Sequence, residues 1–102
     1  MALNTYPKRQ LIIVAEAVLE SRLIEHARRY GAHGYTTTEV RGGGQHGVKE
    51  AAWDVDRMIE LKVVADEAVI DALANHLLEH YAPNFALSMF LSEVQVLRPH
   101  KF

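Results

Sequence analysis

A glycine-rich segment that follows a threonine-rich one carries the residues best suited to chemistry in this 102-residue chain. Residues 34–40 read GYTTTEV and run directly into RGGGQ, residues 41–45. Three consecutive glycines leave the main chain without side chains, so it can bend sharply and approach a ligand closely. Main-chain N–H groups in such a turn, together with the Arg41 guanidinium, suit an anion. The segment therefore favours recognition of a phosphate or bicarbonate over covalent chemistry.

The other residues do not assemble an evident catalytic site. The chain has no cysteine and no G-x-S-x-G nucleophile motif. His76 and His80 lie one helical turn apart and form the best metal-ligating pair, but no third ligand is obvious nearby. Histidine is also favourable near a helix C-terminus, because it complements the helix dipole. We therefore predict no catalytic residues, no metal site and no covalently bound cofactor.

Charge and composition narrow the classes of protein to which the chain can belong. A net charge of −2 without a basic block argues against nucleic-acid binding. No apolar run approaches the roughly 20 residues of a membrane span, and residues 1–10 lack the apolar region of a signal peptide. The absence of cysteine suits a reducing compartment. We expect one cytoplasmic domain, residues 1–102, that does not insert into a membrane.

The hydrophobic patterns predict an α+β fold of the ferredoxin-like order β-α-β-β-α-β. Apolar or alternating runs rich in β-branched residues predict strands at 10–15, 35–40, 58–64 and 87–97. Apolar residues at helical spacing predict two helices, one through Leu19, Leu23, Ala27 and Tyr30 and one through Ile70, Leu73, Leu77 and Tyr81. Gly31 is expected to end the first helix and Asp66 to cap the second.

Two features of this predicted fold need an explanation. Residues 41–57 join two strands that a hairpin of about two to five residues could connect, and a loop that long is usually functional. The two helices cover only one face of the sheet, although the last strand is apolar on both faces. Since 49% of the residues are hydrophobic, we expect another subunit to cover the second face.

The segment GYTTTEVRGGGQ resembles the PII signalling family, whose members carry a closely similar segment that leads into a long T-loop. The resemblance covers nearly the whole chain, with the T-loop at about 41–57. Residues 81–102 look like the ending of the PII-like proteins associated with bicarbonate uptake and carboxysomes. The resemblance implies a single PII-like domain that assembles as a homotrimer, with nucleotide sites in the clefts between subunits.

The same resemblance implies the ligands and the residues that bind them. ADP or AMP would be sensed together with bicarbonate, and a partner such as a bicarbonate transporter in a carbon concentrating mechanism would read the T-loop. The residues implied to bind nucleotide are Gly34, Tyr35, Thr36, Gly42, Gly43, Gly44, Gln45, Val64, Phe85, Leu87, Arg98 and His100. The residues implied to bind bicarbonate are Arg41, Gly43, Gly44 and Arg98.

The chain departs from the ordinary family pattern where a triphosphate would bind. Residues 82–86 (APNFA) replace a B-loop that contains glycine and lysine, and Gln45 and His100 stand where arginines are usual. Fewer fixed cations favour ADP or AMP over ATP. Two alternatives stay open: a metal-binding trimer of the divalent-cation-tolerance type, which shares the fold, and a small enzyme such as a slow nucleotide hydrolase.

Overall fold

The structure is a computed structural model that describes residues 2–42 and 57–102. In chain order the elements are strand β1 (Tyr6–Glu16), a 3-10 turn (Ala17–Leu19), helix α1 (Glu20–Arg29), strand β2 (Thr36–Val40), strand β3 (Met58–Ala65), helix α2 (Glu67–His80), strand β4 (Leu87–Val96) and a 3-10 turn (Pro99–Lys101). The predicted order β-α-β-β-α-β and the α+β class are confirmed. No helix among the described residues has the length and apolarity that a membrane crossing requires.

The four strands form one antiparallel sheet in the order β2-β3-β1-β4. Strand β1 is central, and its Ile13 lies opposite Leu61 of β3 and Met89 of β4. β1 begins at Tyr6, which pairs with Val96, and so is longer at its start than predicted. The added residues include polar ones whose extended conformation depends on pairing with β4, a partner that the local pattern does not reveal.

The hydrophobic core lies between the two helices and one face of the sheet. Alternate residues of β1 point into it, as the period of two requires. Its nearly inaccessible members are Leu11, Ile13, Ala15, Leu19, Leu23, Ala27, Ile59, Leu61, Val63, Ala65, Ile70, Leu73 and Leu77. The predicted inner faces of both helices are therefore confirmed. Each fully buried leucine or isoleucine contributes about 1.5–3 kcal/mol of hydrophobic free energy.

Gly31 ends helix α1 in the predicted way. Its φ of 108° is a backbone conformation that side-chain-bearing residues rarely adopt. Its N–H donates to the Arg28 carbonyl at 3.0 Å, and the Ala32 N–H donates to the Ala27 carbonyl at 2.9 Å. These two bonds satisfy the last carbonyls of the helix and form a Schellman motif.

Asp66 lies at the N-cap position of helix α2, but its carboxylate does not cap the helix. The side chain makes no capping hydrogen bond and instead accepts one from the Lys8 ammonium. Nearby, Arg9 binds Asp71 at 2.7 Å and Glu93 at 2.8 Å, and those hydrogen bonds raise its pKa. The expected cap is thus wrong, because cations from the first strand compete for the carboxylates at this end of the helix.

The second face of the sheet carries apolar side chains that neither helix covers. We call it the open face and define it by Ile12, Val14, Val64, Phe90 and Val94. Ile12 lies opposite Phe90 in the register, and the Phe90 side chain is 56% exposed. The expectation that the helices cover one face only is confirmed, and the open face leaves a large aromatic side chain in contact with solvent.

Candidate functional site

The base of the long loop lies at one end of the sheet and is held on both sides. Val40, the last residue of β2, pairs with Met58, the first residue of β3. The Arg57 carbonyl accepts a hydrogen bond from the Ala17 N–H at 2.8 Å. The Arg57 guanidinium lies 3.2 Å from a carboxylate oxygen of Glu39. The two ends of the loop therefore leave the sheet from fixed positions.

At two predicted binding positions, Gly34 and Gly42, the backbone of the described residues does not require glycine. A Cβ added at Gly34 or Gly42 would meet nothing within 4 Å, and neither residue has a positive φ. Arg41, next to Gly42, is exposed and forms no ion pair with another residue in the ranges 2–42 and 57–102. Among the described residues, none covers the main chain at these two glycines. Three further predicted binding residues lie outside the described ranges: Gly43, Gly44 and Gln45.

Another group of predicted residues gathers where β2 begins and β3 ends. Thr36 is exposed and pairs with Lys62. Val64 lies two positions after Lys62 on β3, and Gly34 lies two positions before Thr36, outside β2. The ring of Tyr35, 40% exposed, lies beneath the Arg28 guanidinium, whose carbon is 5.8 Å from the ring centroid. Main chain, hydroxyl and apolar side chain thus lie near the same edge of the sheet, a combination that suits a base and a sugar.

Leu87 lies elsewhere, at the start of β4, and Phe85 lies two residues before it in the preceding turn. Both are half-buried and pack against the hydrophobic core, and Leu87 pairs with Ala15. Val64 pairs with Gln10, which lies five residues before Ala15 on β1. Val64 therefore lies on the opposite face of the sheet from Leu87 and about 16 Å from it along β1, at roughly 3.3 Å per residue. Within one chain, Val64 and Leu87 do not line a common cleft.

Arg98 and His100 lie at the opposite end of the sheet from Arg41. They are exposed and follow Val96, which pairs with the first residue of β1, whereas the loop base adjoins the last residue, Glu16. The 11 residues of β1 separate these ends by about 33 Å. Within residues 2–42 and 57–102, one chain therefore presents the predicted binding residues as separate groups, and no single cleft contains those that are described.

Two polar features were missed by the reasoning from sequence. The Thr37 hydroxyl is buried without a hydrogen-bond partner among the described residues, and strand alternation could have placed it on the core side, opposite Leu61. His26, His76 and His80 also lie side by side. No group of three potential ligands within residues 2–42 and 57–102 is arranged to hold a metal ion.

Comparison with known families decides the assignment. The model of the nitrogen regulatory protein P-II family matches residues 8–101. The chain belongs to the P-II family. The match includes both helices and all of β2, β3 and β4, so the resemblance seen in GYTTTEVRGGGQ is confirmed.

Solved structures of PII-like proteins match nearly the whole of this P-II family chain. A PII-like signalling protein from Thermus thermophilus is 35% identical with a TM-score of 0.84, over 98% of this chain and 99% of that one. CPII of Thiomonas intermedia, a nitrogen regulatory PII-like protein bound to ADP, AMP and bicarbonate, is 25% identical with a TM-score of 0.86, over 99% and 98%. A CPII structure bound to ADP and bicarbonate is 26% identical with the same TM-score, over 99% of each chain. Among curated proteins, no match to the chain was found.

Proposed function

We propose that this PII-like regulatory protein is a single domain that senses ADP or AMP together with bicarbonate. One observation supports these ligands above all others: the CPII structures that hold ADP and bicarbonate match 99% of this chain with a TM-score of 0.86. The exposed main chain at Gly34 and Gly42 and the exposed guanidinium of Arg41 agree with an anionic ligand, since backbone N–H groups and arginine both bind phosphate.

The ligand site is built between copies of the chain in a homotrimer. The loop base with Arg41 and the C-terminal segment with Arg98 lie about 33 Å apart in one chain, so both can touch a nucleotide only if they come from different subunits. The open face, with Phe90 56% exposed, supplies the apolar surface for that assembly. A ring of head-to-tail contacts joins one end of each subunit to the other end of its neighbour.

Within this shared site the residues divide by chemistry. Gly34, Tyr35, Thr36 and Val64 face the adenine and ribose, while Phe85 and Leu87 contribute apolar surface. The phosphates lie on the main chain of residues 42–45 and on the C-terminal pair of the neighbour, Arg98 and His100. Bicarbonate binds Arg41, Gly43 and Gly44 together with Arg98, because a guanidinium fork matches two oxygens of a planar anion.

Ligand binding acts on a partner through the T-loop. A ligand that contacts the loop base binds one loop conformation more tightly than others and so shifts the population toward it. The partner, such as a bicarbonate transporter of a carbon concentrating mechanism, reads that conformation in the cytoplasm. The protein thereby reports inorganic carbon and adenylate status, in the carboxysome-associated branch of the family.

A thermal-shift screen of AMP, ADP, ATP, cyclic AMP and bicarbonate tests the ligands. At a hundredfold excess over its Kd, a bound nucleotide stabilises the folded state by about 2.7 kcal/mol. We expect ADP and AMP to raise the melting temperature, and ATP to raise it less. No shift with any of the nucleotides would contradict the proposal.

Mixing two inactive variants tests whether the site is shared. Arg41→Ala and Arg98→Ala each remove one guanidinium from every site of a homotrimer. In trimers refolded from an equal mixture, about a quarter of the interfaces pair an intact Arg41 with an intact Arg98 of the neighbour. We expect the mixture to regain ADP binding at about that fraction of sites. A mixture that binds no better than either variant alone would contradict a shared site.

A further inference from the structure

Histidine and tyrosine side chains join helix α1 to the end of helix α2, and none of them was assigned to the ligand. We call this cluster the histidine joint and define it by His26, His76, His80 and Tyr81. The His26 Nε2 atom lies 2.8 Å from the Tyr81 hydroxyl oxygen. The His76 ring centroid is 4.5 Å from the ring centroids of both His26 and His80. Three imidazoles therefore lie in a row, with the middle one in contact with each of the others.

The second ring nitrogen of His26, Nδ1, lacks a hydrogen-bond acceptor among the described residues. Its Nδ1 atom is buried and has no hydrogen-bond partner in the part of the chain that the structure describes, while Nε2 is already engaged with Tyr81. A charged imidazolium needs acceptors for two N–H groups. Only one acceptor is present within residues 2–42 and 57–102, so protonation leaves a buried, charged N–H group unpaired, and such a group is costly.

Most of the effects on the pKa of His26 lower it. Burial is the largest effect and lowers the pKa of His26 below its ordinary value of 6.5, and the neighbouring His76, Arg29 and His80 lower that pKa further. Glu25, one position earlier on the helix, opposes them but does not reverse the shift. Neutral His26 is therefore the form that the folded protein favours.

Tyr81 connects this proton-sensitive cluster to the turn between α2 and β4. Its carbonyl accepts the N–H groups of both Asn84 and Phe85 at 3.0 Å. Its ring centroid lies 5.9 Å from the ring centroid of Phe85. The hydroxyl that binds His26 and the carbonyl that holds the turn thus belong to one residue, so the position of the turn depends on the hydrogen bond to His26.

We propose that the histidine joint is a proton-sensitive switch: the neutral imidazole of His26 holds the turn between α2 and β4 through Tyr81, and proton uptake by His26 releases that turn. The released turn opens at Asn84 and Phe85, whose N–H groups lose their carbonyl acceptor. Because Phe85 and Leu87 belong to the proposed ligand site, release also weakens ADP binding. This last step rests on the proposed function, whereas the opening of the turn does not.

Hydrogen exchange at the Asn84 and Phe85 amides tests the switch directly. Each measured exchange rate is divided by the intrinsic exchange rate of that amide at the same pH, so that only the opening equilibrium of the turn is compared. In the wild type the opening constant rises as the pH falls below His26's ordinary pKa of 6.5, by up to about tenfold per pH unit, the limit for one coupled proton. Tyr81→Phe removes only the hydroxyl, so the turn opens readily at every pH.

Tyr30→Phe is the matched control. Tyr30 lies beside the same cluster, with its ring centroid 5.4 Å from that of His76, but its hydroxyl does not bind His26. We expect Tyr30→Phe to keep the pH dependence of the wild type. An equal pH dependence in Tyr81→Phe, or opening in the wild type that does not change with pH, would overturn the switch.

Calorimetric titration with ADP at about pH 7.5 and about pH 5.5, on either side of an ordinary histidine pKa, tests the coupling to the ligand site. ADP itself gains a proton in this range, so the wild type and Tyr81→Phe are compared at the same pH. We expect the wild type to bind more tightly than Tyr81→Phe at the higher pH and equally at the lower pH. A ratio of affinities that does not change with pH would overturn the coupling. Failure of ADP to bind at either pH would instead contradict the proposed function and leave the exchange result standing.

Discussion

Replacing glycine by alanine should lower the free energy of unfolding at Gly31, which ends α1, but not at Gly34 or Gly42, which flank β2. Gly31 has a φ of 108°, and an added Cβ would meet only Val69 Cγ2 at an ordinary 3.7 Å. The cost of Gly31→Ala is therefore backbone strain, about 1–2 kcal/mol for a residue with a side chain in a left-handed conformation. Gly34 and Gly42 have no positive φ, and a Cβ added at either would meet no atom of the described residues within 4 Å. Alanine at either position should leave the free energy of unfolding unchanged or raise it by up to about 1 kcal/mol, because it restricts the unfolded chain.

The order of the effects on ADP affinity should be the reverse of the order for stability. In the proposed site, a Cβ at Gly34 or Gly42 would stand between the main chain and the nucleotide, so each alanine variant should lose at least about tenfold in ADP affinity, or 1.4 kcal/mol. Gly31→Ala changes no group that touches the ligand and should bind ADP as the wild type does while it is folded. Urea unfolding at one fixed protein concentration measures the first effect, and calorimetric titration with ADP measures the second.

The two measurements can refute different parts of the reasoning. If Gly34→Ala and Gly42→Ala bind ADP with the wild-type affinity, close approach of the main chain to the ligand is wrong. If Gly31→Ala is as stable as the wild type, the account of the helix end is wrong. If Gly42→Ala is strongly destabilised, the loop base is tighter than its open surroundings indicate.

Three further substitutions test the fold and the assembly. Thr37→Val removes a buried hydroxyl that has no partner among the described residues and should raise the free energy of unfolding by about 1 kcal/mol, measured in urea. The pKa of His26 is lowered below 6.5 in the folded protein, so the unfolded chain binds more protons and the free energy of unfolding should fall as the pH drops below 6.5. His26→Gln should reduce this dependence of the free energy of unfolding on pH, as measured by urea unfolding at several pH values. Phe90→Glu places a charge on the open face and should yield a folded monomer in sedimentation experiments.

Each of these substitutions has a control and a result that would count against it. Thr38→Val, at an exposed neighbouring position, should change stability by less than about 0.5 kcal/mol, and a loss of stability in Thr37→Val would mean that the hydroxyl has a partner. An unchanged slope in His26→Gln would assign the pH dependence to other groups. A Phe90→Glu protein that still assembles would show that the open face is not the subunit interface.

Local patterns were sufficient for most of the fold. The helix faces follow from apolar residues spaced three or four positions apart, and the Gly31 helix end follows from a residue type that tolerates a positive φ. The start of β1 could not be predicted, because Lys8 and Arg9 have no strand pattern of their own and are held extended by pairing with β4 and, for Arg9, also with β3. The cap at Asp66 failed for a similar reason, since its competitor, Lys8, is distant in sequence.

The candidate site could be proposed from the sequence alone only where its residues are contiguous. Gly34 to Arg41 form one short segment, so their type and order carry the signal without any tertiary information. The separation of Val64 from Leu87 depends on strand register, which sequence reasoning did not resolve. The histidine joint depends on the packing of two helices, because His26 lies on α1 and its partner Tyr81 follows α2. Contacts between distant residues are where a single sequence is least informative.

The ADP affinity of the assembled protein, measured by calorimetry with and without bicarbonate at one fixed pH, tests the central claim most directly. If both ligands share the loop base and the guanidinium groups, bicarbonate should tighten ADP binding by about 5- to 150-fold, the usual range of a coupling free energy of about 1–3 kcal/mol. ADP should tighten bicarbonate binding by the same factor, because linkage is reciprocal. The same ADP affinity in both solutions, or no ADP binding by a folded assembly, would contradict the account.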